Sequence, residues 1–190
     1  MSPIGNAGMF LIKTVFELYV FILILRLVLP WVRADFYHPL SQFVLKLTDP
    51  LVRPFDKFLP RVSFVNLSVL VVLFLFDGLK ILLLIAIQFN TIPNFLGLFV
   101  WVIADLLEQG INLMFFSILV VVIVSWVNPQ TLHPVIVMLH RLTDPYLRVF
   151  RRVIPHVAGF DISPIPALLV LKLMSIVFVY PIIDFVVTFI

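Results

Sequence analysis

Apolar residues fall in four long runs, at about 10–32, 67–89, 111–127 and 165–190, and polar, proline-containing segments join them in pairs. The runs are continuously apolar rather than alternating. That pattern predicts helices and excludes the strands of a membrane barrel. At 1.5 Å per residue, a run of about 20 residues crosses a hydrocarbon core of roughly 30 Å, and the third run only just does so. An apolar stretch from Phe95 precedes that third run, interrupted by Asp105, Glu108 and Gly110. A straight helix over 95–127 would be about 50 Å long. The expectation is therefore a lead-in segment at the interface followed by a short span, with one long tilted helix as the alternative. The first run already carries Lys13 and Glu17 and has no basic region before it, so it reads as a permanent span rather than a cleaved signal.

The two links, 33–66 and 128–164, have a different period. Leu40, Phe43, Val44 and Leu47 fall at helical spacing, as do Val135, Met138, Leu139 and Leu142, which predicts short amphipathic helices. His38 and His133 each precede a proline and suit the start of these helices; ligation of a metal or haem is the less favoured role for them. The triplets Thr48-Asp49-Pro50 and Thr143-Asp144-Pro145 are expected to punctuate the links, with the Asp capping a second helix whose first residue is Pro. A further apolar stripe follows in each (Leu51, Val52, Phe55, Phe58, Leu59; Tyr146, Leu147, Phe150, Val153, Ile154), with a kink expected at Pro54 and an end at Pro60 and Pro155. Ser163 before Pro164, and Asn66 with Ser68, are the expected caps of the following spans.

These motifs occur twice. Trp31 and Trp126 are 95 residues apart, as are His38 and His133, Arg53 and Arg148, Pro60 and Pro155, Ser68 and Ser163, and the two Thr-Asp-Pro triplets. Aligning 31–68 with 126–163 needs no gap, and 95 is half of 190. The chain is read as a duplication with units 1–95 and 96–190. Each unit holds two spans, so both units cross the membrane in the same direction and both links lie on one side. The predicted fold class is an all-α membrane protein: four transmembrane helices as two tandem parallel repeats, each a span, amphipathic interfacial helices, and a second span.

Composition agrees, at 63% hydrophobic and 12% charged residues with a mean hydropathy of +1.20, far from a soluble domain. The absence of cysteine excludes disulfides, thiolate metal sites and cysteine nucleophiles. The placement of the basic residues says more than the net charge of +3. Arg33, Lys46, Arg53, Lys57 and Arg61 lie in the first link, and Arg141, Arg148, Arg151 and Arg152 in the second. The connection 90–96 has no charge. The positive-inside rule therefore predicts cytoplasmic links and both termini on the periplasmic face of a bacterial inner membrane. Trp31 and Trp126 mark where the entering spans meet the headgroups. Basic amphipathic helices tethered between spans lie in the interface plane and favour anionic phospholipid. They act either as anchors that orient the spans or as a docking surface for an unidentified membrane or cytoplasmic protein, through Arg53, Lys57, Arg61, Arg148, Arg151 and Arg152. Nucleic acid is not expected, because Asp49, Asp56 and Asp144 interrupt the basic residues.

Ionisable residues also fall inside the spans: Lys13, Glu17 and Arg26 in the first, Asp77 and Lys80 in the second, Lys172 and Asp184 in the fourth. Each is costly in lipid and needs a partner or water. Lys13 and Glu17 are spaced to pair along one helix face, as are Asp77 and Lys80. Between helices, Glu17–Lys80 or Asp77–Arg26 bridges are expected. One reading is a structural charge network; the other is a polar track for an ion or proton. The repeat does not preserve these charges: Glu17 corresponds to Asn112, Arg26 to Val121, Asp77 to Lys172 and Lys80 to Ser175. That asymmetry weighs against a symmetric channel. The sequence contains no Gly-rich phosphate loop, no His-x-x-x-His or carboxylate-rich metal motif and no Gly-x-Ser-x-Gly elbow, so no enzyme, metal or cofactor is expected. Four spans enclose little space for a pathway, which favours assembly with copies of itself or with others, but no Gly-x-x-x-Gly face within a span names the contact.

The residues Glu17-Leu18-Tyr19, Arg26, Trp31, Asp35-Phe36-Tyr37, Pro39, Ser41-Gln42-Phe43-Val44, Thr48 and Pro50 resemble the YggT family, whose plastid and Gram-positive relatives include the YlmG proteins. In the second copy the resemblance rests on Ser125-Trp126, Asp144-Pro145, Arg148, Arg151-Arg152 and Asp161. It extends over essentially the whole chain and implies a bacterial inner-membrane protein without an established biochemical activity. The family's associations are with osmotic-stress tolerance and ion uptake, with cell division or nucleoid organisation, and, in plastid relatives, with haem attachment to a b-type cytochrome. These set the two function classes carried forward: a non-catalytic scaffold or assembly factor, and an ion transporter or channel subunit using Glu17, Asp77 and Lys80.

Overall fold

The computed structural model describes residues 3–32, 37–59, 61–62, 65–89, 93–128, 131, 133–154 and 161–188. Among the described residues seven helices run α1 (Pro3–Val28), α2 (Pro39–Asp56), α3 (Leu67–Phe89), α4 (Phe95–Val127), α5 (Pro134–Arg151), α6 (Pro164–Met174) and α7 (Tyr180–Thr188). A π-helical turn, Ser175–Val179, joins α6 to α7, and a minimal ladder pairs β1 (Arg61–Val62) with β2 (Val65–Asn66). Four helical stretches among the described residues are long and apolar enough to cross a membrane: Gly5–Val28, Leu67–Gln88, Phe95–Val127 and Pro164–Val186. The chain is an all-α, multi-pass membrane protein. In lipid the backbone must bond to itself, so each span is a complete helix.

Each unit packs in the same way. In the first, α1 lies along α3 and α2 lies across both; in the second, α4 lies along α6 and α7, with α5 across α4 and α6. The buried clusters coincide at the repeat spacing: Leu23 and Ile118, Val52 and Leu147, Val72 and Ala167 are paired positions of the two cores. Thr48 and Thr143, and Ser68 and Ser163, are likewise wholly buried. The units meet where α3 packs on α4 around Ile81, Ile85 and Val102.

Three expectations are corrected. First, α4 is one continuous helix of 33 residues, as in the alternative reading of 95–127, with no interfacial lead-in before a short span. It starts at Asn94, whose side chain accepts from the Gly97 N–H. Asp105 and Glu108 do not interrupt it because each is bonded along the helix, Gln109 donating to Asp105 and Asn112 to Glu108. At about 50 Å, such a helix must tilt or extend past the hydrocarbon.

Second, Thr-Asp-Pro does not begin a new helix. Both α2 and α5 run unbroken for 18 residues through Pro50 and Pro145. Thr48, Asp49, Pro50, Thr143, Asp144 and Pro145 are therefore mid-helix residues, not caps. Pro50 sits on the exposed side of α2, so the Lys46 carbonyl it leaves unbonded faces outward. The true start of α2 is His38, whose Nδ1 accepts from the Leu40 N–H at 3.2 Å; His133 begins α5 without such a bond. Pro54 also stays inside α2. Pro60 and Pro155 lie outside the described residues.

Third, Ser163 does not cap the last span through its side chain. Asp161 Oδ1 accepts from the Ser163 N–H at 3.0 Å, and Asn66 serves Ser68 in the same way at 2.9 Å. The π turn has its own cause. Pro181 has no N–H to donate to Val177, and the helix widens immediately before it. The corresponding residue of the first unit is Ala86, where α3 stays regular.

Candidate functional site

Most of the chain's intramembrane charge collects in one place, away from the links. Lys80 Nζ donates to Asp77 Oδ1 at 2.6 Å and to Asp105 Oδ2 at 2.5 Å. Gln109 Nε2 donates to Asp105 Oδ2 at 2.6 Å and to Asp77 Oδ1 at 3.2 Å. Asp77 is 0% and Lys80 2% exposed, whereas the Asp105 side chain retains 23%. Asp77 Oδ2 is buried and has no hydrogen-bond partner among the described residues. An Asp and a Lys three apart on α3 share a face, and α4 presents Asp105 and Gln109, one turn apart, to that face.

A second polar chain adjoins it. Lys172 Nζ donates to Asn112 Oδ1 at 2.8 Å and stands 4.9 Å from the centre of the Phe115 ring. Asn112 donates to Glu108 Oε1 at 3.1 Å, and the Tyr180 hydroxyl donates to the same oxygen at 3.3 Å. Lys13 and Glu17 pair along α1 at 3.7 Å. Two open cavities, of about 520 and 550 Å³, border these groups. Both reach Lys13, Glu17, Asp105 and Tyr180; one continues to Glu108 and Asn112, the other to Lys80 and Trp101. Lys80 is nine residues from the end of α3, about 14 Å along a helix of bilayer length, so the Lys80–Asp105 pair sits near mid-bilayer depth.

The interhelical bridges expected from sequence do not form. Lys80 takes Asp105 of α4 rather than Glu17, which pairs with Lys13 on α1 itself. Arg26 does not reach Asp77. It turns to the link, where Nη1 donates to Thr48 Oγ1 at 2.7 Å, Asp49 Oδ1 at 2.8 Å and the Leu45 carbonyl at 3.5 Å. Thr48 Oγ1 in turn donates to the Val44 carbonyl at 2.6 Å. Arg53 holds the other Asp49 oxygen at 2.7 Å. Asp184 is exposed on α7, one turn beyond Tyr180.

In the second unit Val121 stands where Arg26 would be, and a different cation serves the motif. Arg151 bonds Asp144 at 3.2 Å and, through Nε, Asp161 at 2.8 Å. The positions of Arg151 and Asp161 are those of Asp56 and Asn66, which are joined in the first unit by a 3.3 Å hydrogen bond. One contact has thus been kept with its chemistry changed. Burial alone would raise the Asp161 carboxyl, but hydrogen bonds from Ser163 and Arg151 and the Arg151 charge bring it below its ordinary value.

Three faces of α2 can be separated. Ser41, Val44, Thr48 and Val52 are buried against α1 and α3; Phe43, Leu47 and Leu51 form an exposed apolar stripe; Lys46 and Arg53 are exposed opposite the buried face, and Lys57 and Phe58, just beyond the helix, are exposed too. In α5, Arg141, Arg148 and Val149 are exposed, as are Arg152 and Val153 just beyond it, while Arg151 is half-buried. Trp31 and Trp126 are exposed at the link-side ends of their spans. Arg61 lies in β1, and Arg33 outside the described residues.

The profile of the CCB3/YggT family matches residues 5–87 and again 100–182, two matches offset by 95. The chain belongs to the CCB3/YggT family. An uncharacterized protein of Pseudomonas aeruginosa is 32% identical over 176 residues, 92% of this chain and 89% of that one. The uncharacterized protein YggT of Escherichia coli K12 is 35% identical over 172 residues, 90% and 88% of the two chains. The uncharacterized protein ycf19 of Porphyra purpurea matches 91 residues at 32% identity, 47% of this chain but 90% of its own length. The stretch similar to ycf19, 91 residues, is about as long as one unit of this chain. No solved structure matches the chain.

The residues that sequence reasoning missed are Asp105, Glu108, Gln109, Asn112 and Tyr180. Their signal was present: four polar residues at 105, 108, 109 and 112 fall at helical spacing inside an apolar helix.

Proposed function

We propose that this protein is a non-catalytic scaffold of the bacterial inner membrane, whose α2 and α5 lie in the cytoplasmic headgroup layer, bind anionic phospholipid and hold a platform for a partner protein. The observation that supports this reading is the division of α2 into a buried face, an apolar flank and a basic face, in a helix tied to its span by Arg26. Such a helix keeps its apolar flank at the acyl boundary and its cations at the phosphates. The positive-inside rule supports the cytoplasmic side, and with it termini on the periplasmic face.

Lys57, Arg148 and Arg152 are exposed and test the reading without touching the internal bonds, unlike Arg151. Their joint replacement by Gln removes about 1 kcal/mol of attraction per charge, roughly fivefold in affinity each at low salt. Phosphatidylglycerol retained by the purified protein in nanodiscs of mixed lipid should fall accordingly. Retention equal to that of the unaltered protein would refute lipid docking.

The polar cluster favours a second reading, an ion-handling protein. Between that cluster and the link side, however, lies the apolar cluster of Val20, Leu23, Ile24, Val72, Leu73 and Leu113. A polar cluster with apolar packing between it and the link side supports uptake of a small species at mid-membrane more than conduction through one chain. The scaffold reading therefore ranks first.

A further inference from the structure

The charges around the cavities do not cancel. Lys13 and Glu17 of α1 pair with each other. Glu108 of α4 and Lys172 of α6 are bridged by Asn112, one accepting from its amide and the other donating to its carbonyl. Asp184 of α7 is exposed, and Tyr180 is engaged with Glu108. What remains is Lys80 between two carboxylates, Asp77 on its own helix and Asp105 on α4, leaving one negative charge over when all three are ionised.

An excess charge at mid-bilayer depth is expensive, and two carboxylates sharing one site do not both stay ionised cheaply. The positions differ in how well they hold charge. Asp105 Oδ2 accepts from both Lys80 and Gln109 and borders both cavities. Asp77 is fully buried, and its Oδ2 has no donor among the described residues. A metal ion beside that atom would need several further oxygens converging on the ion. No group of three His, Cys, Asp or Glu suited to a metal occurs among the described residues. A proton needs only the carboxyl.

We propose that Asp77, Lys80 and Asp105 form a proton-binding site at mid-membrane, in which Asp77 Oδ2 holds one proton and Asp105 exchanges it with the cavity. The proton turns Asp77 into a neutral carboxylic acid and leaves Asp105 and Lys80 as a neutral ion pair. Release of the proton through Asp105 into the cavity restores the negative charge. The proposal stands apart from lipid docking, which concerns α2 and α5, and the test below registers no lipid, so either idea fails without the other.

Infrared spectroscopy of the full-length protein in lipid, with isotope-labelled aspartate, detects the C=O stretch of a buried protonated carboxyl. The unaltered protein should show a band equivalent to one such group near neutral pH. Asp77→Asn and Asp105→Asn should each abolish it, because one lysine then faces one carboxylate. Lys80→Met should double it, because two carboxylates then lack a cation; should that variant fail to fold, the two Asn variants still decide. Glu108→Gln should leave the band unchanged. In heavy water the band should shift promptly, as the cavity route to Asp105 requires. No band in the unaltered protein, a band surviving Asp105→Asn, or loss on Glu108→Gln in place of Asp77→Asn would each overturn the site; a band that fails to shift would overturn the exchange route.

Discussion

Asp49 is held by two arginines, and the structure predicts that they matter very unequally. Arg26 is 8% exposed and comes from the neighbouring span; Arg53 is 75% exposed and lies one turn away on α2 itself. Replacing Arg26 by Gln loses a charge-assisted bond to Asp49, worth about 1.5–3 kcal/mol, and a bond to Thr48 worth roughly 1 kcal/mol. Two effects limit the loss: the desolvation cost of a buried guanidinium is recovered, and Arg53 still faces Asp49 at 2.7 Å. The net should be about 2–3 kcal/mol, below the 3–5 kcal/mol typical when a buried ion is left wholly unpaired. Arg53→Gln should cost under about 1 kcal/mol, as exposed pairs do. Unfolding in mixed micelles, titrated with denaturing detergent, measures both, and an Arg26→Gln, Asp49→Asn cycle isolates their coupling. Equal costs for the two arginines, or a coupling near zero for Arg26 with Asp49, would show that the clamp does not tie α2 to α1. The second unit supplies a rescue. Adding Asp56→Arg and Asn66→Asp to Arg26→Val places in the first unit the arrangement seen around Asp144, and should recover part of the loss.

Two further outcomes follow from the second unit. The Asp161 carboxyl is lower when folded than unfolded, so the stability it adds is complete above the ordinary carboxylate range and drains away as pH falls through the folded value. Melting in detergent across the acid range should show this slope, and Asp161→Asn should flatten it while keeping the helix start, since Asn66 does the same work in the first unit. Leu147 is wholly buried between α5 and its spans, so Leu147→Ala should cost about 2–5 kcal/mol in the same unfolding assay, against little for Val149→Ala at 61% exposure; similar costs would mean that α5 does not pack as described.

What the sequence determined on its own is what depends on solvent and on chain order. Lipid requires a continuous apolar helix, so spans could be read from composition along the chain, and duplication left its record in the 95-residue spacing. The buried pairs Leu23 and Ile118, or Val52 and Leu147, repeat the sequence period because the same packing was copied. What only the tertiary structure decided is which partner each polar group meets. Local rules make Thr-Asp-Pro a helix start, yet Arg26 from α1 and Arg151 of α5 hold the aspartate inside a continuous helix in two different ways. Asp105 and Glu108 look like breaks in a span until α3 brings Lys80 to one and α7 brings Tyr180 to the other. A charge in lipid is tolerated only with its partner, and the partner lies on another helix; that pairing is set by packing, which spacing along one chain does not contain.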